Sequence, residues 1–418
     1  MIIYNTPVRL NYFSKNEMLF YLYATYFIWL GSIVYAEVLL FHIILLFWII
    51  CKIIIVESNN SSITSQFFRI SDVWFFVILL INFILSVIIG MNYLATNIGG
   101  RDIVFFLQIL SCFLIVYKNK LEINEVVKFL NITYLIYSIL SLFVYLHVFL
   151  PALRFDIYNQ FDIYVRGYSF KTYVGFDGST SSIDSYSMLI FVINLLLNKN
   201  NKSKYLFMAI ALSQSLLTFR MTPIVSILIS APILVFPLKL RKIYTSLCII
   251  FAFISFLIPY QFRNNIDITY SFISYTHYRN ITWNNFIEYF RSIDLLNILL
   301  GTRTEMEPVY TSWAGKWINH PHSTYLRMLL YYGVINYIIF FIWFFINNLK
   351  ITNKRFQFVF ISTVIFGVTN LNIFYSRTCV YYIILLYLFS IKNNNKKKIK
   401  KNELSPTQLE VSHRRYFI

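Results

Sequence analysis

Ser323-Thr324-Tyr325-Leu326-Arg327-Met328-Leu329-Leu330-Tyr331-Tyr332-Gly333-Val334-Ile335-Asn336-Tyr337-Ile338-Ile339-Phe340-Phe341-Ile342-Trp343-Phe344-Phe345-Ile346 is an apolar run with one charge, Arg327. About 20 such residues cross the hydrocarbon of a bilayer as a helix, so residues 323–346 read as a spanning helix. Immediately before it stands Trp317-Ile318-Asn319-His320-Pro321-His322, a polar loop with two histidines around a proline. A polar group at such a junction is costly unless it has a task or a partner. His322 is therefore the first candidate for a catalytic base, because histidine titrates near neutral pH.

The whole chain has the same character. It is 58% hydrophobic, 20% aromatic and 13% charged, with a mean hydropathy of +0.62. Soluble domains carry about 25% charged residues, so the composition indicates an all-α polytopic membrane protein. The apolar run from Met18 to about Val56 is too long for a cleavable signal peptide and reads as two uncleaved spans. Candidate spans fall near 18–34, 38–56, 73–95, 103–117, 129–150, 186–198, 205–219, 222–238, 243–260, 323–346, 356–371 and 378–391, about 12 in all. Residues 1–391 form one membrane domain on this reading, and 392–418 are a basic, disordered tail. No internal repeat or separate soluble domain is visible.

Charge supplies the orientation. With both termini cytoplasmic, 24 of the 36 cations fall inside and 12 outside, as the positive-inside rule requires. The net charge of +18 is then mainly an orientation signal. The Lys-rich tail reads as a flank near anionic lipid rather than a nucleic-acid-binding arm. The kind of cation also differs by side: outside are ten Arg (101, 154, 166, 220, 263, 279, 291, 303, 327 and 377) and two Lys (171 and 316). Arginine presents a planar fork that matches phosphate oxygens, so the outer face is suited to phosphate. Ion pairs with external carboxylates, or contacts with lipid headgroups, are the competing reading for each arginine.

Two external loops, about 151–185 and 261–321, are long enough to form a site. Within the second, Asn280 to Asn297 reads as an amphipathic helix with Trp283, Phe286, Ile287, Phe290 and Ile293 on one face, lying on the membrane surface. Cys51, Cys112, Cys248 and Cys379 all fall in expected spans, so no disulfide framework or zinc site is supported. Glu305 and Glu307 could in principle ligate a hard divalent cation, but a solvated acidic stretch explains them more simply.

Three segments resemble the O-antigen polymerase and O-antigen ligase superfamily of bacterial surface-polysaccharide assembly. They are Leu216-Leu217-Thr218-Phe219-Arg220, then Tyr278-Arg279-Asn280-Ile281-Thr282-Trp283 with Leu299-Leu300-Gly301, and His322-Ser323 through Gly333. At Asn336 the chain departs from the Gly, Thr or Tyr that ligases commonly show. The resemblance implies a metal-independent, cofactor-free glycosyltransferase of the inner membrane, with its active site facing the periplasm. The implied partners are an undecaprenyl-pyrophosphate-linked oligosaccharide donor and acceptor, membrane lipid, a chain-length regulator and a flippase. On this resemblance His322, Arg279 and Arg220 are the catalytic set, and Arg166, Lys171, Arg303, His320 and Tyr325 contact substrate. The expected activity is that of a polymerase, with a ligase or a lipid-linked oligosaccharide flippase as alternatives.

Overall fold

The computed structural model describes residues 35–58, 123–145, 162–165, 168–171, 180–197, 201–218, 221–265, 279–301, 309–311, 316–318 and 323–369, with the single positions Ser14, Glu17 and Ile81. The elements are α1 (Tyr35–Ser58), α2 (Ile123–Tyr145), α3 (Thr180–Asn194), α4 (Ser203–Leu217), α5 (Thr222–Ser230), α6 (Leu238–Ile254), α7 (Leu257–Gln261), α8 (Arg279–Ser292), α9 (Leu295–Leu300), α10 (Thr324–Lys350) and α11 (Lys354–Phe366). Two antiparallel hairpins join them, β1 (Asp162–Val165) with β2 (Tyr168–Lys171) and β3 (Val309–Thr311) with β4 (Lys316–Ile318).

Eight of the expected spans meet a helix; those at 18–34, 73–95, 103–117 and 378–391 lie, apart from Ile81, outside the described residues. By length and composition, Asn124–Phe143 and Thr324–Lys350 are apolar enough to cross a membrane. The outward helix faces are apolar at helical spacing: Ile132, Leu135, Ile139 and Leu142 on α2, Leu240, Ile243, Leu247 and Ile254 on α6, and Ile335, Ile338, Ile342 and Ile346 on α10 are all exposed. Contiguous exposed apolar stripes of this kind suit hydrocarbon better than water.

The inward faces carry the polar groups. Asn131 of α2 and Asn194 of α3 exchange amide hydrogen bonds of 3.0 and 2.8 Å. Tyr134 Oη lies 2.9 Å from Ser187 Oγ and donates to Gln214 Oε1, which also accepts from Ser138 Oγ at 3.1 Å. Buried polar groups must be paired, and these pairings clamp α2, α3 and α4 in one register.

Proline and short polar caps punctuate the chain. Pro223 opens α5, Pro232 falls in the 3-10 turn Ala231–Leu234, and Pro237 precedes α6. Asn353 caps α11 by accepting from the N–H groups of Arg355 and Phe356 at 2.9 and 3.4 Å. Only residues 351–353 separate α10 from α11, and the Phe344 and Phe360 rings of the two helices stack with centroids 5.6 Å apart.

The expected continuous span at 323–346 is corrected. Gly333 has φ 76° and ψ 170° inside α10, a region open only to glycine. Tyr325 and Phe344 are 19 residues apart, about 28 Å along a straight helix. Yet both pack on Phe253 of α6, with ring centroids 4.6 and 5.8 Å away. The chain therefore turns sharply at Gly333. The leading segment, Thr324 to Tyr332, re-enters the bundle and is buried along most of its length.

Both expected external loops contain regular structure. α3 begins at Thr180, so Asp184, expected in the first loop, is a fully buried helix residue. The amphipathic helix of the second loop exists, but it stops at Ser292 and a second helix restarts at Leu295 behind an Asp294 cap. Trp283, Phe286 and Ile287 are buried inside the protein. The apolar face thus serves tertiary packing rather than lying on a membrane surface.

Candidate functional site

One end of the bundle gathers the chain segments that flank the candidate residues. Ser323 caps the buried start of α10, its Oγ accepting from Leu326 N at 3.4 Å, and Thr324 N donates to Gly367 O at 2.9 Å. Two residues past Gly367, Thr369 Oγ1 donates to Thr222 Oγ1 at 3.3 Å, in the first turn of α5. The end of α11 therefore holds both the residue pair after His322 and the residue pair after Arg220. His322 and Arg220 themselves, with His320, Arg166 and Arg303, lie outside the described residues.

The last turn of α4 meets a carboxylate. Thr218, at the C-terminus of α4, donates its hydroxyl to Asp184 Oδ1 at 2.6 Å and lies 2.7 Å from Ser215 O. Both Asp184 and Thr218 are buried. A buried carboxylate is costly without hydrogen-bonded partners, so this contact ties α3 to the last turn of α4, two residues before Arg220. Sequence reading missed its placement because Asp184 follows the polar run Thr180-Ser181-Ser182, which resembles a loop. The available signal was Asp184, Ser187 and Asn194 recurring on one side of a helix.

The third element is α8, which starts at Arg279. Arg279 stands in helical register with Trp283 and Phe286, both buried. Glu288, a carboxylate of the same helix, is nine residues on, at the opposite side of the helix. Its carboxylate instead meets Arg263 Nε at 3.4 Å and Arg291 Nη1 at 3.6 Å. It also accepts from Tyr260 Oη at 2.6 Å.

A backbone contact fixes α8 relative to α10. α9 follows α8 after Ile293 and Asp294 and ends at Gly301, whose φ of 87° also requires glycine. Gly301 sits against Tyr331 and Gly333, so closely that a Cβ on Gly301 would lie 2.2 Å from Tyr331 O. At the break, Asn336 Nδ2 donates to Tyr332 O at 2.7 Å. The side-chain amide thereby serves a carbonyl displaced from the regular helical ladder, which gives the departure at Asn336 a physical role.

Two expected substrate contacts can be located. Tyr325 is fully buried, donates its hydroxyl to Val364 O at 2.7 Å and packs on Phe253. It is a core residue that holds α10 to α11 and α6. Lys171 is the last residue of β2, opposite Asp162.

The starts of α5, α8 and α10 and the buried carboxylate of Asp184 thus belong to one end of the described structure. Comparisons with protein-family models, curated proteins and solved structures found no match for this chain.

Proposed function

We propose that the protein is a multi-pass inner-membrane glycosyltransferase of the surface-polysaccharide polymerase type, acting at the periplasmic face. The observation that carries this reading is the double anchoring on the end of α11: Gly367 holds the start of α10, and Thr369 holds the start of α5. The two anchored segments follow His322 and Arg220, the candidate base and a candidate phosphate ligand. The Gly301–Gly333 contact adds the helix that begins with Arg279.

The reaction joins an acceptor hydroxyl to the anomeric carbon of a glycan carried on undecaprenyl pyrophosphate. The new C–O bond forms as the bond to pyrophosphate breaks, and His322 takes the hydroxyl proton. Arg220 and Arg279 stabilise the charge that develops on the departing pyrophosphate, as preorganised donors in a water-poor site do. The polymerase uses a lipid-linked repeat unit as acceptor, and a ligase would use lipid A-core with the same donor site. A flippase would need ionisable groups near the bilayer midplane; here cations gather at helix ends, and Asp184 lies in the second turn of α3.

The surface glycan of a deletion strain tests the reading. A single repeat unit attached to core supports the polymerase. Lipid-linked polymer that accumulates without attachment identifies a ligase, and wild-type glycan contradicts both.

A further inference from the structure

The opposite end of the bundle carries cations where helix electrostatics disfavours them. The first five residues of α6 include Lys239, Arg241 and Lys242, and the first turn of α11 contains Lys354 and Arg355. A helix N-terminus already bears partial positive charge and favours anions. The structure brings these two starts together: Arg241 Nη2 donates to Thr352 O at 2.5 Å and Lys354 Nζ to Leu234 O at 3.0 Å.

These cations are not neutralised within their own elements. No Asp or Glu occurs between Ser185 and Ile266, or between Pro308 and Asn402. The ion pairs found among the described residues involve other cations. Arg241 is 94% buried, since only 6% of it is exposed, and its Nε has no hydrogen-bond partner among the described residues. A buried guanidinium with an unused donor, beside two helix N-termini and without a carboxylate, is a receptor for an anion. The surroundings select the kind of anion: Val235, Leu238 and Leu240 are 81%, 46% and 54% exposed beside the cations. Exposed aliphatic groups next to cations match an acyl chain below a phosphate, not a freely dissolved anion.

We infer that the paired starts of α6 and α11 bind the phosphate of an anionic phospholipid, with Arg241 as the buried ligand and Lys354 at the rim. This rests on the membrane reading of the chain but not on the transfer chemistry, because the site lies at the other end of the bundle from the start of α10.

The test is native mass spectrometry of the full-length detergent-solubilised protein, titrated with phosphatidylglycerol or phosphatidylcholine. A Lys or Arg near the surface contributes roughly fivefold to anionic-lipid binding. The first phosphatidylglycerol should therefore bind at least about tenfold more tightly than phosphatidylcholine. Arg241→Gln and Lys354→Gln should each reduce that preference about fivefold. Lys354 is exposed, so its variant retains the fold even if the buried Arg241 substitution does not. Equal binding of the two lipids, or an unchanged preference in Lys354→Gln, would overturn the assignment. Displacement of phosphatidylglycerol by millimolar inorganic pyrophosphate would also overturn it, in favour of a soluble anion.

Discussion

The backbones of Gly301 and Gly333 lie in direct contact across 32 residues of sequence. A Cβ on Gly301 would approach Tyr331 O to 2.2 Å, and one on Gly333 would approach Leu299 O to 2.3 Å. Both have positive φ, 87° and 76°. The contact fixes α8 and α9 to the turn of α10, so it sets the distance between the segment that begins at Arg279 and the one that follows His322.

Alanine at either glycine should be poorly tolerated. The backbone penalty is about 1–3 kcal/mol, and forcing a methyl group into packed backbone adds roughly 1–3 kcal/mol. Thermal unfolding of the detergent-solubilised protein should show a lower midpoint for Gly301→Ala and Gly333→Ala. Wild-type midpoints in both would mean the close contact is not present.

Asp184 and Thr218 form the buried tie before Arg220. Thr218→Val keeps the shape but removes the hydroxyl, at a cost of about 1–3 kcal/mol for a disrupted buried hydrogen bond. Thr218→Ser keeps the donor and should recover most of the stability. If the Val and Ser variants unfolded at the same temperature, the hydroxyl would not be the stabilising group.

The α9 cap gives a pH dependence. Asp294 is held below the ordinary aspartate range, first by the Asn297 backbone N–H that donates to Oδ1 at 2.9 Å. Because the folded-state value is lowered, the cap's contribution is complete above the unfolded aspartate value, about pH 4. It is lost as pH falls through the lower folded value. Asp294→Ala should therefore be less stable than wild type at pH 7, with the difference shrinking under acid. A constant difference across the titration would exclude the ionised cap as its source.

The proposed phosphate role of Arg220 and Arg279 differs from headgroup anchoring in whether lysine can replace the arginine. Lysine keeps the charge but loses the bidentate fork, so Arg220→Lys and Arg279→Lys should both cut polymer synthesis while insertion and abundance stay normal. Full activity in both would remove them from the mechanism.

Much of the helical framework was legible because outward-facing and core-facing residues are both apolar, which makes long runs such as 38–56 unmistakable. The same uniformity concealed the turn at Gly333, where Tyr332 and Val334 carry no turn signal and the cause is a glycine 32 residues earlier. Asp184 was hidden for the opposite reason: a helix start rich in Ser and Thr looks like a loop until its partners on α2 and α4 are known. Trp283, Phe286 and Ile287 were correctly placed on one face. What that face packs against depends on tertiary contacts with no local sequence signature.

The most direct test reconstitutes the purified protein in liposomes with an undecaprenyl-pyrophosphate-linked repeat unit and measures the length of the glycan formed. Wild type should extend the glycan, and His322→Ala at matched incorporation should be slower by about 10²–10⁴-fold, the usual cost of removing a general base. Wild-type chain lengths and rates from His322→Ala would contradict the account.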